Sequence, residues 1–236
     1  MLSVLLFSLA VSMTGALLAA LLCALPVMKS ESAVSRVLYL SAGLMLFITC
    51  FDLLPEALSK MPVLTLVSTF SGAALIAVGR SVLEKKLSAS SKAARASLLI
   101  LVGLALHNLP EGMAIGAGYV SSISLGLKLA AGIVLHDVPE GLAAALPLIT
   151  AGKKRGYIFA MLLLSSAPTF LGVIIGGGLS FISESMVSAL MGLAGGAMLQ
   201  LICLELIPQA QKTETDSASA LYFPLGMMLA AVTRFI

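Results

Sequence analysis

The chain contains two histidines, His107 and His136, and each opens the same motif, His-x-x-Pro-Glu-Gly. The first copy reads His107-Asn-Leu-Pro-Glu-Gly and the second His136-Asp-Val-Pro-Glu-Gly. On an α-helix, residues four apart share a face, so His107 stacks over Glu111 and His136 over Glu140. Asn108 and Asp137 stand one step, roughly 100°, around from their histidines. Each copy therefore gathers an imidazole and two oxygen-bearing side chains into one sector of a helix. Both copies lie inside apolar runs, where an ionisable residue is costly and by default marks a functional path. Glu111, Asp137 and Glu140 could not stay ionised together at that depth without a cation. A divalent ion held between the two helices supplies the missing positive charge.

The flanking residues point the same way. Pro110 and Pro139 each remove one helical N–H and free the carbonyls of Leu106 and Leu135. Freed carbonyls at membrane depth are tolerated where they face protein or a water-filled cavity. Gly112 and Gly141 then allow a neighbouring helix to approach closely. A His–Glu pair that merely ties two helices together is the plainer reading of one such motif. Two copies that use every histidine of the chain favour the metal site.

The elements that carry these motifs must be membrane helices. Hydrophobic residues make up 59% of the 236-residue chain and charged residues 11%. Soluble domains carry about 25% charged residues, so lipid has to solvate most of this surface. Continuous apolar runs such as 98–106 and 158–164 argue for helices rather than the alternating segments of a β-barrel. Breaks in hydrophobicity predict an all-α integral membrane protein with one polytopic domain over 1–236. Its eight spans run approximately 2–26, 34–58, 62–83, 97–120, 124–149, 156–178, 183–210 and 218–236. The N-terminal apolar stretch has no Lys or Arg before Lys29 and reads as a retained first span rather than a signal peptide. Cys23, Cys50 and Cys203 lie in apolar stretches without Cys-x-x-Cys spacing and read as packing residues. The net charge of +3 forms no nucleic-acid footprint.

Charge asymmetry sets the expected orientation. The odd-numbered connections hold Lys29, Arg36, Arg80, Lys85, Lys86, Lys92, Arg95, Lys153, Lys154, Arg155 and Lys212, against Lys60, Lys128 and Arg234 on the other side. Eleven against three puts the odd connections in the cytoplasm and both termini outside. Two internal echoes appear as well. Gly43-Leu-Met-Leu-Phe-Ile-Thr-Cys-Phe-Asp-Leu-Leu-Pro resembles Gly196-Ala-Met-Leu-Gln-Leu-Ile-Cys-Leu-Glu-Leu-Ile-Pro, pairing Met45 with Met198, Asp52 with Glu205 and Pro55 with Pro208. The His-x-x-Pro-Glu-Gly motifs form the second echo. Each links an even span to an odd one, as inverted repeats do, with spans 1–3 and 6–8 arranged around spans 4 and 5. Asp52 and Glu205, near the ends of spans two and seven, could hand ions to and from the central site or could simply be solvated at the interface.

With these motifs the chain resembles the ZIP family of divalent-metal transporters, in its bacterial form. Members carry His-Asn-x-Pro-Glu-Gly in span four and a related motif in span five, and eight spans, outside termini and a cytoplasmic loop after span three match too. The resemblance implies metal transport through a site in which Glu111 and Glu140 bridge, His107 and His136 join them, and Asn108 and Asp137 serve a second ion. It also implies that Met45 approaches the first metal. The family's span-six acid is replaced here by Thr169, within Ser165-Ser-Ala-Pro-Thr-Phe-Leu-Gly, which favours one bound ion over two. The family's histidine-rich loop is absent.

Imidazole, carboxylate and a thioether suit zinc, with iron(II), manganese and cadmium as competitors. The expected function is movement of such ions into the cytoplasm across a cell (inner or plasma) membrane, with the ion as cargo and no cofactor. Binding at the midplane and rocking of one helix group against another would accomplish it. Metal ions and lipid are the expected partners, nucleic acid is not, and a homodimer is an admissible assembly. The alternative, an intramembrane metal-dependent hydrolase using metal-bound water, lacks His-Glu-x-x-His and a base not already committed as ligand.

Overall fold

A backbone in hydrocarbon has no water to hydrogen-bond, so its N–H and C=O groups must pair within the segment. The computed structural model of the chain describes residues 10, 13–15, 17–21, 30–86, 108–150, 153–180, 183–214 and 216–232, and all regular structure among them is helical. In chain order after the N-terminal helical stretch come α1 (Glu31–Phe47), α2 (Leu54–Lys60), α3 (Pro62–Lys86) and α4 (residues 108–121). Then follow α5 (Ile123–Thr150), α6 (Arg155–Ser165), α7 (Ala167–Ser180), α8 (Glu184–Leu201), α9 (Ile207–Lys212) and α10 (Tyr222–Val232). A 3₁₀ turn, Ser217–Leu221, leads into α10, and Asp216 caps it by accepting from the Ser219 N–H at 2.8 Å.

Among the described residues, four stretches are long and apolar enough to cross a membrane: Ser32–Lys60, Pro62–Val82, Arg155–Ser180 and Glu184–Lys212. The chain is a multi-pass, all-helical membrane protein. The stretch expected as a single span over 156–178 divides into α6 and α7 at Ser166. Pro168 is the physical reason. It donates no N–H to the Leu164 carbonyl, and its ring disfavours α geometry at the residue before it.

Two of the long stretches are interrupted in the same way. Between α1 and α2, residues Ile48–Leu53 form a π turn in which the Leu54 N–H reaches the Thr49 carbonyl. Between α8 and α9, residues Ile202–Leu206 form another, with the Ile207 N–H on the Ile202 carbonyl. Each turn runs straight into a short helix with proline in its first two positions, Pro55 in α2 and Pro208 in α9. The turns contain Asp52 and Glu205, the acids that the sequence echo pairs.

Glycines set the closest helix crossings. A Cβ at Gly43 would overlap the Phe223 carbonyl, and one at Gly226 the Leu40 carbonyl, so α1 and α10 meet backbone to backbone. α3 and α8 meet likewise, with Gly196 on the Thr69 carbonyl and Gly72 on the Leu193 carbonyl. The main core lies between α1, α4, α5, α7 and α8, around Met45, Ile48, Ile115, Ile133, Val173, Met191 and Met198.

Candidate metal centre

α4 delivers the first motif into this core. Asn108 is buried and Glu111 is fully buried. An ionised carboxylate in such a place is tolerated only when paired or bound to a cation. The Asn108 side-chain amide donates to the backbone carbonyl of Ser165 at 2.6 Å, where α6 ends. Only the NH₂ of the amide can donate to a carbonyl, so this bond fixes the flip and assigns Oδ1 as acceptor, the atom a cation takes. Ser165 itself is held by its own hydroxyl, which donates to the Leu162 carbonyl at 2.7 Å. Thr169, at the position of the missing acid, is buried, and its hydroxyl has no hydrogen-bond partner.

Gly112 places α4 against α7. A Cβ there would overlap the Thr169 carbonyl, and Gly172 on α7 is equally tight against Leu109 and Met113. Gly116 and Gly176 continue the same seam one turn on. The close approach expected at Gly112 is therefore a backbone contact with the helix that carries Thr169.

α5 delivers the second motif. Asp137 is half-buried and lies against Gly15 of the N-terminal stretch, where an added Cβ would sit 2.5 Å from the Asp137 Cβ and 3.0 Å from Oδ2. One turn on, Gly141 meets Ala19 of that stretch, where an added Cβ would sit 2.5 Å from the Ala19 Cβ. The N-terminal stretch thus covers the Asp137–Gly141 face of α5. On another side of α5, Gly132 accommodates Ile48 at the start of the first π turn.

Met45 is fully buried on α1. The Thr49 hydroxyl lies 2.7 Å from the Met45 carbonyl and 3.3 Å from the Met198 sulfur, bridging the two methionines of the sequence echo. Asp52 is half-buried in the first π turn. His107 and the side chains of His136, Glu140 and Glu205 lie outside the described residues. Among the described residues no group of three or more His, Cys, Asp or Glu side chains is close enough to hold an ion.

Sequence reasoning overlooked several residues that shape this region. Ser165 orients Asn108, Gly15 and Ala19 admit α5, and Arg80 donates to the Leu204 carbonyl in the second π turn at 3.0 Å. For Arg80 the available signal was Pro208, which removes the donor for the Leu204 carbonyl four residues earlier. At the far end of the bundle the Lys60 ammonium donates to the Ser121 hydroxyl at 2.5 Å and pairs with Glu56 at 3.1 Å. Ser121 in turn donates to Glu56 at 2.9 Å, tying the end of α2 to the end of α4.

Known proteins resemble this chain along most of its length. The Arabidopsis thaliana protein named zinc transporter ZTP29 is 38% identical over 139 residues, 57% of this chain and 50% of the relative. The zinc transporter ZupT of Chlorobium chlorochromatii is 29% identical over 223 residues, 83% of each chain. ZupT of Corynebacterium aurimucosum is 32% identical over 217 residues, 82% of each chain. The chain thus spans half the length of the plant relative and most of the bacterial ones. The profile of the ZIP zinc transporter family matches residues 82–234, which hold both motifs. The chain belongs to the ZIP zinc transporter family.

Proposed function

We propose that the chain carries zinc, and less selectively other divalent transition metals, into the cytoplasm through a midplane site on spans four and five. The observation that carries this reading is the fully buried Glu111 one helical turn from Asn108, whose amide is oriented by Ser165, in a member of this family. His107, Glu111, His136 and Glu140 are the proposed ligands, assisted by Asn108, Asp137 and Met45. A single ion is proposed, because Thr169 offers a neutral hydroxyl where a carboxylate would complete a second site. The ion is cargo, and the chain is a carrier rather than an enzyme, with metal ions and lipid as its partners.

Eight spans with inverted repeats, and both termini outside, complete the proposal. The two glycine crossings support the repeat: the register that pairs Gly43 with Gly196 and Leu40 with Leu193 also pairs the contacts of Gly226 and Gly72. The two π turns before Pro55 and Pro208 support it again. In such folds a group of helices rocks against the rest around a fixed site. Protonation of the imidazoles and carboxylates would loosen the ion for release.

The test is zinc uptake by proteoliposomes. Saturable uptake that is lost in His107→Ala and Glu111→Ala is the expected result. Uptake that rises linearly to high concentration would instead indicate a channel, and no uptake with zinc-dependent hydrolysis would indicate the enzyme.

A further inference from the structure

Arg80 lies on α3 and its Nη1 donates to the Leu204 carbonyl at 3.0 Å. That carbonyl has a particular need. In an α-helix it would accept from the N–H four residues on, and the residue there is Pro208, which has none. It also lies within the π turn Ile202–Leu206, where the regular ladder is displaced by one residue. A carbonyl that has lost its α-helical donor to a proline can be satisfied by a neighbouring helix, and here Arg80 supplies an N–H. The guanidinium is suited to this because its planar fork offers five N–H groups in fixed directions. The residue after Leu204 is Glu205, one of the two acids whose sequence positions offer either an ion handover or a solvated place at the interface.

We propose that Arg80 is a positioning residue for ion movement, holding the 202–206 π turn in register and thereby fixing where Glu205 stands on the ion's path. The inference rests on the transport reading given above. The sequence carries the same arrangement twice. Arg80 stands eight residues beyond Gly72, and Arg234 eight beyond Gly226. Phe51, the counterpart of Leu204, precedes Asp52 and lies four residues before Pro55. Arg234 is outside the described residues. An arginine placed near a helix end only to reach the headgroups would be indifferent to this register, since it needs nothing but a long stem.

Three variants separate these roles. Arg80→Met keeps an apolar stem and no donor, Arg80→Lys keeps charge and donor, and Arg80→Gln keeps a donor on a shorter stem. Zinc uptake is measured as KM and maximal rate, and backbone hydrogen exchange is followed over residues 202–212. Arg80→Met is expected to lower the maximal rate about tenfold, the scale of lost supporting contacts at metal sites, with KM little changed. It is also expected to speed exchange over 202–212, while Arg80→Lys restores both readouts and Arg80→Gln falls between. Wild-type uptake by Arg80→Met overturns the proposal, and so does slow uptake with unaltered exchange or failure of Arg80→Lys to restore. If the native chain moves no zinc the transport reading fails, and the exchange comparison still decides whether Arg80 holds the turn.

Discussion

Asn108 and Ser165 are joined by a 2.6 Å hydrogen bond from a buried side-chain amide to the backbone carbonyl that ends α6. The bond ties α4, which carries the first motif, to the end of α6 and leaves the amide oxygen free of that contact as the acceptor of the pair. Asn108→Ala removes the donor and strands a buried carbonyl, which costs about 1–3 kcal/mol. Thermal unfolding of the detergent-solubilised protein is expected to shift down accordingly. Zinc uptake is expected to fall further than a zinc-independent stability loss explains. Asn108→Ala with unchanged melting and uptake would show that the bond has neither role.

The paired glycine crossings make a prediction with an internal control. Gly43→Val and Gly196→Val push side chains into the Phe223 and Thr69 carbonyls, where backbone rather than a flexible side chain would have to move. Overpacking of this kind costs about 1–3 kcal/mol and occasionally more. Both variants should melt lower, and by similar amounts if the two crossings are equivalent. Gly156→Ala and Gly178→Ala meet nothing within 4 Å among the described residues and should not melt lower than the native protein.

Much of this was legible in the residues, and the omissions have physical causes. Glycine is read locally, so Gly112 announced a close neighbour, and the neighbour is α7 at Thr169 and Gly172, while the carbonyl that Pro110 would free, Leu106, lies outside the described residues. The echo of spans two and seven was legible because Met45, Asp52 and Pro55 recur as Met198, Glu205 and Pro208. The π turns themselves were not, because a one-residue change of hydrogen-bond register leaves hydrophobic periodicity almost intact. The Asn108–Ser165 and Arg80–Leu204 bonds were invisible for a different reason. Each joins residues far apart in the chain, and no local pattern states which carbonyl a distant donor will find. Pro168 did mark the break at Ser166, but the continuous apolar run around it reads as one span.

Outside the membrane-spanning segments, Asp216 accepts from Arg36 at 2.9 Å and from Ser219, and the Arg36 contact, with Ser219 assisting, holds its carboxyl below the ordinary value of 3.8. A group whose folded pKa is depressed contributes stability above its unfolded pKa and loses it as pH falls through the folded one. Hydrogen-exchange protection over residues 216–221, taken relative to the intrinsic rate at each pH, should therefore be high at neutral pH and fall as the medium is acidified below the usual carboxylate range. In Asp216→Asn the protection should be lower at neutral pH and flat across the same interval. The pair is exposed enough that global melting should hardly move.

The Lys60–Ser121–Glu56 cluster bridges α2 and α4, and a rocking motion that separates these two ends would part it. A Lys60→Cys/Ser121→Cys double variant, oxidised to a disulfide, is expected to stop zinc uptake, and reduction to restore it. Uptake that continues in the fully cross-linked protein would show that these two ends stay together throughout transport. Ser121→Ala alone should leave melting nearly unchanged, since a partly exposed polar cluster contributes little.

The location of zinc is the most direct test of the account as a whole. Crystals grown with zinc and measured on both sides of the zinc absorption edge report each ion as an anomalous peak. One peak between residues 107–111 of span four and 136–140 of span five is the predicted result, with Asn108 still donating to Ser165. Zinc found elsewhere in the chain, with none between those two motifs, would contradict it.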